Sequence, residues 1–465
     1  MTRRRLGITR MVVAGSLGLT FTAAAAPAQF LSPRFQYIGT FPVAVGESAG
    51  RQAFAFGDLN GDQRPDLVAV APAAGRVDVW RNQGGGAFQA LASPVVSQPR
   101  VVALVDVTTP AAAAPDGILD LLVGSADGHL SVLPGIGDGT FGAAVQTIAV
   151  AGLSAVVGLA SGEFNGQAGV DLALISPTAL ALLCSNASGA LQPCGDDPAP
   201  DLVLEDFIEI LPGDFDGDGR RDLVVLSREA QRLVPLYGNG DATFEVGRGV
   251  AVDVEAGDGK AVDMATAHLD EDATDDVLVV NRAENFEYLA AAVFGRTNRT
   301  LRVQAFVADF RAAALVVDDF DGEANGAVDV IIGYEDRGPT VNVGDGGGVL
   351  LDPFTPVGSN RIGGVGALIA ADLDGDSKPD IAVLSRSGTT IAVLLNASGP
   401  LCAGDCNASG AVSIDELTRA VSIVLGERDP RDCVALDQNG NGNVSIAEVI
   451  AAVGSALNGC PDAVE

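Results

Sequence analysis

The chain has 465 residues, with 60 Asp and Glu against 28 Lys and Arg, for a formal net charge of −32. Such a polyanion is repelled by nucleic acid and by anionic membranes, which sets both aside as partners, while divalent cations are drawn to it. Apolar residues make up 48% of the sequence, mostly Val, Leu and Ala, enough for a large packed core.

Residues 1–28 read as a secretion signal. Arg3, Arg4, Arg5 and Arg10 precede an apolar stretch at 11–26, and Ala26-Pro27-Ala28 offers a small-residue cleavage site. Removing this segment deletes four arginines and no acid, taking the net charge to −36. No later stretch has the length and apolarity of a membrane span, so no membrane insertion is expected after signal removal. An exported chain with six cysteines implies disulfides. Cys184 and Cys194 flank one hairpin and are expected to bridge neighbouring strands. Cys402, Cys406, Cys433 and Cys460 allow three pairings, of which Cys402–Cys460 with Cys406–Cys433 is preferred.

From residue 58 an acidic loop followed by β-formers recurs seven times. The clean copies are GDLNGDQRPDLVAV (Asp58, Asn60, Asp62, Asp66), GDFDGDGRRDLVVL (Asp214, Asp216, Asp218, Asp222) and ADLDGDSKPDIAVL (Asp372, Asp374, Asp376, Asp380). Oxygen side chains at positions 1, 3, 5 and 9 of a glycine-bearing loop can converge on a hard cation, and Ca2+ takes six to eight oxygens. Copy six is stretched, with Asp319, Asp321, Asn325 and Asp329. Three copies are degraded: Asp106, Asp116 and Asp120; Glu163, Asn165, Gln167 and Asp171; His268, Asp270, Asp272 and Asp276. Metal is expected at copies one, four, six and seven, with the degraded copies left open.

The copies begin at 58, 106, 163, 214, 268, 319 and 372. A period in this range signals a propeller, solenoid or array. Each period holds four apolar runs. In the first, 67–70 and 77–80 are separated by a turn, the hairpin NQGGGAF leads to Phe88, and 101–105 runs into the next acidic loop. Four short strands per repeat with Gly-rich hairpins make a propeller blade, so the expectation is an all-β, seven-bladed propeller over 30–400. The last copy lacks its outermost strand, and FQYIGTFPVAV at 35–45 is expected to supply it and close the ring.

These copies resemble the FG-GAP/VCBS repeats of integrin-α-type seven-bladed propellers. The resemblance implies that the loops join the first two strands of each blade, share one face and hold calcium. It also implies that position 7 contributes its carbonyl, here Arg64, Arg220 and Lys378.

Past residue 400 the composition changes. GDCNASGAVSIDEL places Asp405, Asn407, Ser409, the Ala411 carbonyl, Ser413 and Glu416 at the ligand positions of an EF-hand loop, with Gly410 at the sharp turn. LDQNGNGNVSIAEV repeats this with Asp437, Asn439, Asn441, the Asn443 carbonyl, Ser445, Glu448 and Gly442. Each loop runs into an amphipathic helix, with Leu417, Val421, Val424 and Leu425 on one stripe and Val449, Ile450, Val453 and Leu457 on the other. Loop-then-helix twice over 401–465, without entering helices, resembles a dockerin module, which implies a cohesin-like partner. Cellulosomal dockerins usually carry Asp at position 12, where this chain has Glu416 and Glu448.

No catalytic constellation is visible. The chain has two histidines, His129 and His268, and no nucleophile elbow or zinc spacing. The expectation is a secreted or cell-surface, calcium-binding, non-catalytic binding or adhesion protein with an extracellular protein or glycan as partner. A calcium-dependent lectin and an exported polysaccharide-active component are the alternatives. Sugar sites favour exposed aromatics, yet aromatics are only 5% here and the one tryptophan, Trp80, alternates with Val77 and Val79 as a core residue would.

Overall fold

The computed structural model describes residues 33, 35–46, 50–107, 116–186, 190–195, 198–203, 206–252, 260–270, 272–282, 290–306, 311–320, 328–342, 344, 362–396, 403–406, 412–428, 433–436 and 444–458. The expected signal segment lies outside them.

Seven antiparallel sheets follow one another along the chain as the blades of a propeller. Blade one is Phe54–Gly57, Asp66–Ala71, Arg76–Asn82 and Phe88–Ala90. Blade two is Pro99–Val105, Asp120–Ser125, His129–Leu133 and Gln146–Ala149. Blade three is Gly158–Gly162, Asp171–Ser176, Ala179–Ser185 and Leu191–Pro193. Blade four is Phe207–Gly213, Asp222–Ser227, Arg232–Gly238 and Phe244–Val246. Blade five is Lys260–Ala267, Asp276–Arg282, Ala290–Phe294 and Arg302–Phe306. Blade six shows Ala312–Asp318, Asp329–Tyr334 and Thr340–Asn342 among the described residues. Blade seven is Val365–Ala371, Asp380–Ser385 and Thr390–Asn396, and its fourth strand is Phe35–Pro42, hydrogen-bonded antiparallel to Thr390–Asn396.

The second strand of every blade is a short aliphatic run such as DLVAVA or DLVVLS, buried on both faces. A blade lies between two others, so neither face of this strand meets water, and the alternation of a half-exposed sheet is replaced by a continuous apolar run. The core is accordingly a series of layers between blades. One layer joins Leu384 and Val393 of blade seven to Phe54, Val70 and Trp80 of blade one and Leu121 of blade two. Trp80 is therefore a core residue, in contact with Phe41 at 5.9 Å between ring centroids.

Backbone polar groups tie the blades at the face that carries the acidic loops. The carbonyl of the second loop residue accepts a bond from the next blade: Leu59 O from Gly139 N at 3.1 Å, Phe164 O from Ala242 N at 2.8 Å and Phe215 O from Arg296 N at 3.1 Å. Side-chain amides make two further links of this kind. Asn396 Nδ2 donates to Phe320 O at 2.8 Å, and Asn82 Nδ2 of blade one donates to Leu373 O of blade seven at 2.7 Å.

Two helices follow, α1 (Ile414–Val424) and α2 (Ile446–Asn458). They enclose a small core of Ala420, Ile423, Leu436 and Ala452. Disulfides link Cys184 to Cys194 and Cys406 to Cys433, as the sequence leads one to expect. The Cys402–Cys460 pairing lies outside the described residues.

Replacing Asn396 by Ala leaves the Phe320 and Pro379 carbonyls without that amide donor. A loss of about 1–3 kcal/mol is expected for a buried acceptor stripped of its partner. Urea unfolding of Asn396→Ala checks this; a midpoint equal to wild type would contradict it.

Candidate metal centres on the acidic face

Each loop begins with tight turning. In loop one Asp58 Oδ1 accepts from Gly61 N at 2.7 Å and Asp62 N at 3.2 Å, and Oδ2 accepts from Gln63 N at 2.8 Å. Loop four repeats this around Asp214, with Gly217 N at 2.7 Å, Asp218 N at 3.2 Å and Gly219 N at 2.9 Å. Loop seven does so around Asp372, with Gly375 N at 2.7 Å, Asp376 N at 3.1 Å and Ser377 N at 2.8 Å. The turn requires a left-handed residue at the fourth position, where Gly61, Gly217 and Gly375 have φ of 77°, 71° and 88°. At position 7, Arg64, Arg220 and Lys378 donate their backbone N–H to the carboxylate at position 5.

The last aspartate of the loop has a different task. Asp66, Asp120, Asp171, Asp222, Asp276, Asp329 and Asp380 open the second strand of their blades and are at most 3% exposed. One oxygen accepts the backbone N–H of the second loop residue: Leu59, Val107, Phe164, Phe215, Leu269, Phe320 or Leu373. The other accepts a backbone N–H at the far end of the third strand: Asn82, Gly135, Ser185, Gly238, Gly295, Gly344 or Asn396. This pair of hydrogen bonds is present in all seven blades, the degraded copies included. Position 9, expected as a ligand, is a staple that fastens the loop to its sheet.

Carboxylates converge in three loops among the described residues. Asp214, Asp216 and Asp218 each bring an oxygen within 4.8 Å of the others, as do Asp372, Asp374 and Asp380, and Asp270, Asp272 and Asp276. Asp58, Asp62 and Asp66 of loop one do not form such a group; there Asn60 turns its Nδ2 to Asp66 at 3.2 Å. In loop six Asp319 and Asp329 are described, while Asp321 and Asn325 lie outside the described residues.

Cationic side chains reach into the same loops. Lys378 Nζ lies 3.0 Å from Asp376, and Arg220 Nη1 lies 3.2 Å from Asp218. Arg296 binds Asp270 at 2.9 Å and also Asp272 in loop five, whose first position is His268. Arg299 of blade five crosses to loop four, 2.7 Å from Asp216 and 3.5 Å from Asp218, and also binds Glu245 at 2.6 Å. The donor set of loops four and seven fits a hard divalent cation. In loop five Arg296 pairs with two of the three carboxylates, as Arg299 does in loop four, but the first position of loop five is His268 rather than an aspartate.

The C-terminal loops are described in part. Glu416, 3% exposed, accepts from Ser413 N and Ser413 Oγ, each at 2.8 Å, and from Cys406 N at 2.9 Å, forming a capping box at the start of α1. Glu448 accepts from Ser445 N at 2.6 Å at the start of α2. Asp405 is buried beside Cys406. Asn407, Ser409, Ala411, Asp437, Asn439, Asn441 and Asn443 lie outside the described residues. Both helices also carry apolar side chains on their open sides: Ile414, Val421 and Leu425 for α1, and Ile446, Ile450, Val453 and Leu457 for α2.

The His129 ring meets Asp127 at 3.0 Å, and Asp127 in turn holds Ser125. Ser125 Oγ bonds the His129 backbone, so the three residues close a turn in blade two.

Burial raises the staple carboxyls, against the pull of their two N–H donors. Asp222 and Asp380 are pushed up to about 7, and Asp120 and Asp276 to about 6, with the neighbouring loop carboxylates adding to the rise. Their unfolded value is near 3.8. A raised acid contributes stability that is complete below its unfolded value and lost as pH rises through its folded value. The calcium-free protein is therefore expected to melt at higher temperature near pH 5.5 than near pH 8. Thermal melts after exhaustive removal of divalent ions check the sign; a melting temperature that rises across this range would contradict it.

Comparison with known proteins reaches the fold. BBS1N in complex with ARL6DN matches with a TM-score of 0.53 and 13% identity, over 78% of this chain and 97% of that one. An Agrocybe aegerita lectin recognising non-reducing terminal N-acetylglucosamine matches with a TM-score of 0.48 and 15% identity, over 79% of this chain and 86% of that one. No family model and no curated protein matches the chain. The likeness to BBS1N shows a shared propeller fold.

Proposed function

We propose that this is a secreted or cell-surface propeller that binds an extracellular protein or glycan and catalyses nothing, with calcium stiffening its FG-GAP-like loops. The observation that carries the reading is the convergence of Asp214, Asp216 and Asp218, and of Asp372, Asp374 and Asp380, inside loops whose shape is set by their own backbone N–H groups. A hard divalent ion bound there would offset the mutual repulsion of these carboxylates. Loop one offers Asp58, Asn60 and Asp62, with Asp66 as its staple. Two disulfides at distant places support an oxidising, extracellular setting.

The 401–465 segment is read as a dockerin-like, paired EF-hand module, whose described ligand positions are Asp405, Ser413, Glu416, Ser445 and Glu448. Of the eleven large apolar side chains exposed among the described residues, seven lie on or next to its two helices, which supports contact with a cohesin-like protein partner.

The N-terminal strand is read as the closure of the ring. Its pairing with Thr390–Asn396, and the packing of Phe41 on Phe88 of blade one at 4.9 Å between centroids, support this reading.

Two measurements test the proposal. Calcium at a hundredfold excess over its dissociation constant is expected to stabilise the chain by about 2.7 kcal/mol per site. Chemical unfolding with calcium and with chelator reads this, and equal midpoints would sink the calcium reading. Deleting residues 30–46 is expected to abolish the cooperative melt of the propeller; a deletion variant that melts like wild type would rule out closure by this strand.

A further inference from the structure

On the face opposite the acidic loops the central channel opens into a cavity of about 1260 Å3. Inner strands start at this face and run toward the acidic loops, so the mouth is built from strand starts and from the turns between second and third strands. Lys260 and Asp263 come from the inner strand of blade five, and Arg228 and Glu229 from the turn of blade four. Arg282 ends the second strand of blade five, Glu335 and Arg386 lie in the turns of blades six and seven, and Arg51 enters from blade one.

Five of the chain's 28 cationic side chains thus gather at one opening of a protein whose net charge is −32, facing three carboxylates. Four of them are held in place. Glu335, whose side chain is 10% exposed, accepts Arg282 at 3.1 Å and Arg386 at 3.4 Å, and Glu229 accepts Lys260 at 2.6 Å. Arg51 Nη1 donates to the Met264 carbonyl of blade five at 3.2 Å. Its neighbour Gln52 exchanges two bonds with the Leu159 backbone of blade three, at 2.5 and 2.8 Å, so the entry turn of blade one bridges the channel. Beneath lie Glu209 and Asp263, anchored by the N–H groups of Met264 and Leu315 at 2.9 and 2.8 Å. The rim is open: a side chain at Gly50 or Gly363 would meet no atom within 4 Å.

Donors and acceptors alternate around this wall, and among its described residues there is no aromatic ring, the aliphatic side chains being Val262, Ala313 and Val365. A peptide would find only three aliphatic side chains there, and a neutral sugar would have no ring to stack on. A saccharide bearing an anionic group matches both features. Its carboxylate or sulfate suits the planar guanidinium forks of Arg282 and Arg386, and its hydroxyls can donate to Glu335 and Glu229 while accepting from Lys260. We propose that the channel mouth opposite the acidic loops binds an acidic saccharide, carboxylated or sulfated. This gives a ligand class to the propeller of the proposed binding protein, and so rests on that reading.

The test is calorimetric titration of the full chain, in calcium, with tetragalacturonate and a sulfated galactotetraose as acidic probes and galactotetraose as the neutral one. Binding of at least one acidic probe, weakened by salt and absent for the neutral probe, is expected. The double variant Arg282→Gln/Arg386→Gln should weaken it by about tenfold or more. Arg228→Gln, which disturbs neither of the Glu335 pairs, provides a second variant and should weaken it in the same direction. Failure of both acidic probes to bind, equal binding of the neutral probe, or wild-type affinity in the variants would overturn the proposal. Whether the carboxylated or the sulfated probe binds tells the two sources apart. Calcium-dependent melting of the same samples is scored separately, so loss of the pocket and loss of the calcium reading remain distinguishable.

Discussion

The structure depends on one buried carboxylate repeated around a ring. The aspartate that opens the second strand of each blade receives one N–H from the turn before it and one from the end of the third strand. An aspartate does this well because its two oxygens point apart on a short stem, so one side chain satisfies two backbone donors that the sheet leaves unpaired. Once the turn is fastened, its second residue buries an apolar side chain, and in several blades the carbonyl of that residue holds the next blade. Local turn, blade and ring are consequences of the same group.

The staple also sets the electrostatic problem of the acidic face. Seven buried carboxylates are surrounded by loop aspartates, and burial with like charge pushes several of them upward. Two remedies are within reach. Guanidinium groups supply one, with Arg296 on loop five and Arg299 on loop four. A hard divalent ion supplies the other, and the converging oxygens of loops four and seven suit it. Loops four and five are each clasped by an arginine on two carboxylates, but loop five has histidine in place of the first aspartate, and this places it with the arginine remedy. The opposite face gathers five cations and three carboxylates around an open channel.

Much of the fold was legible because repetition makes weak signals strong. One acidic loop is a turn, whereas seven at a regular period are a propeller, and the Cys406–Cys433 bridge belongs to the preferred one of the three pairings open to the tail's four cysteines. The pair of hydrogen bonds made by position 9 was not legible, because an aspartate that binds a metal and one that binds two N–H groups are the same letter. The arginine clasps were hidden for a different reason: Arg299 lies 83 residues from Asp216, and nothing local links them. The channel mouth was hidden likewise, since Arg51, Lys260, Glu335 and Arg386 meet only after the ring forms. On the tail helices the expected apolar stripes are only partly inward: Leu417 and Val449 pack on the small core, Val421, Leu425, Ile450, Val453 and Leu457 face outward, and the buried Ala420, Ile423 and Ala452 lie outside those stripes.

The most direct measurement is anomalous diffraction from crystals of the protein grown in calcium and exchanged into terbium. The account predicts strong peaks inside the loops at 214–222 and 372–380, and none at 268–276, where His268 takes the place of the first aspartate. Density showing those two loops empty at saturating metal, with the staple bonds intact, would contradict it and leave the acidic face as a purely structural device.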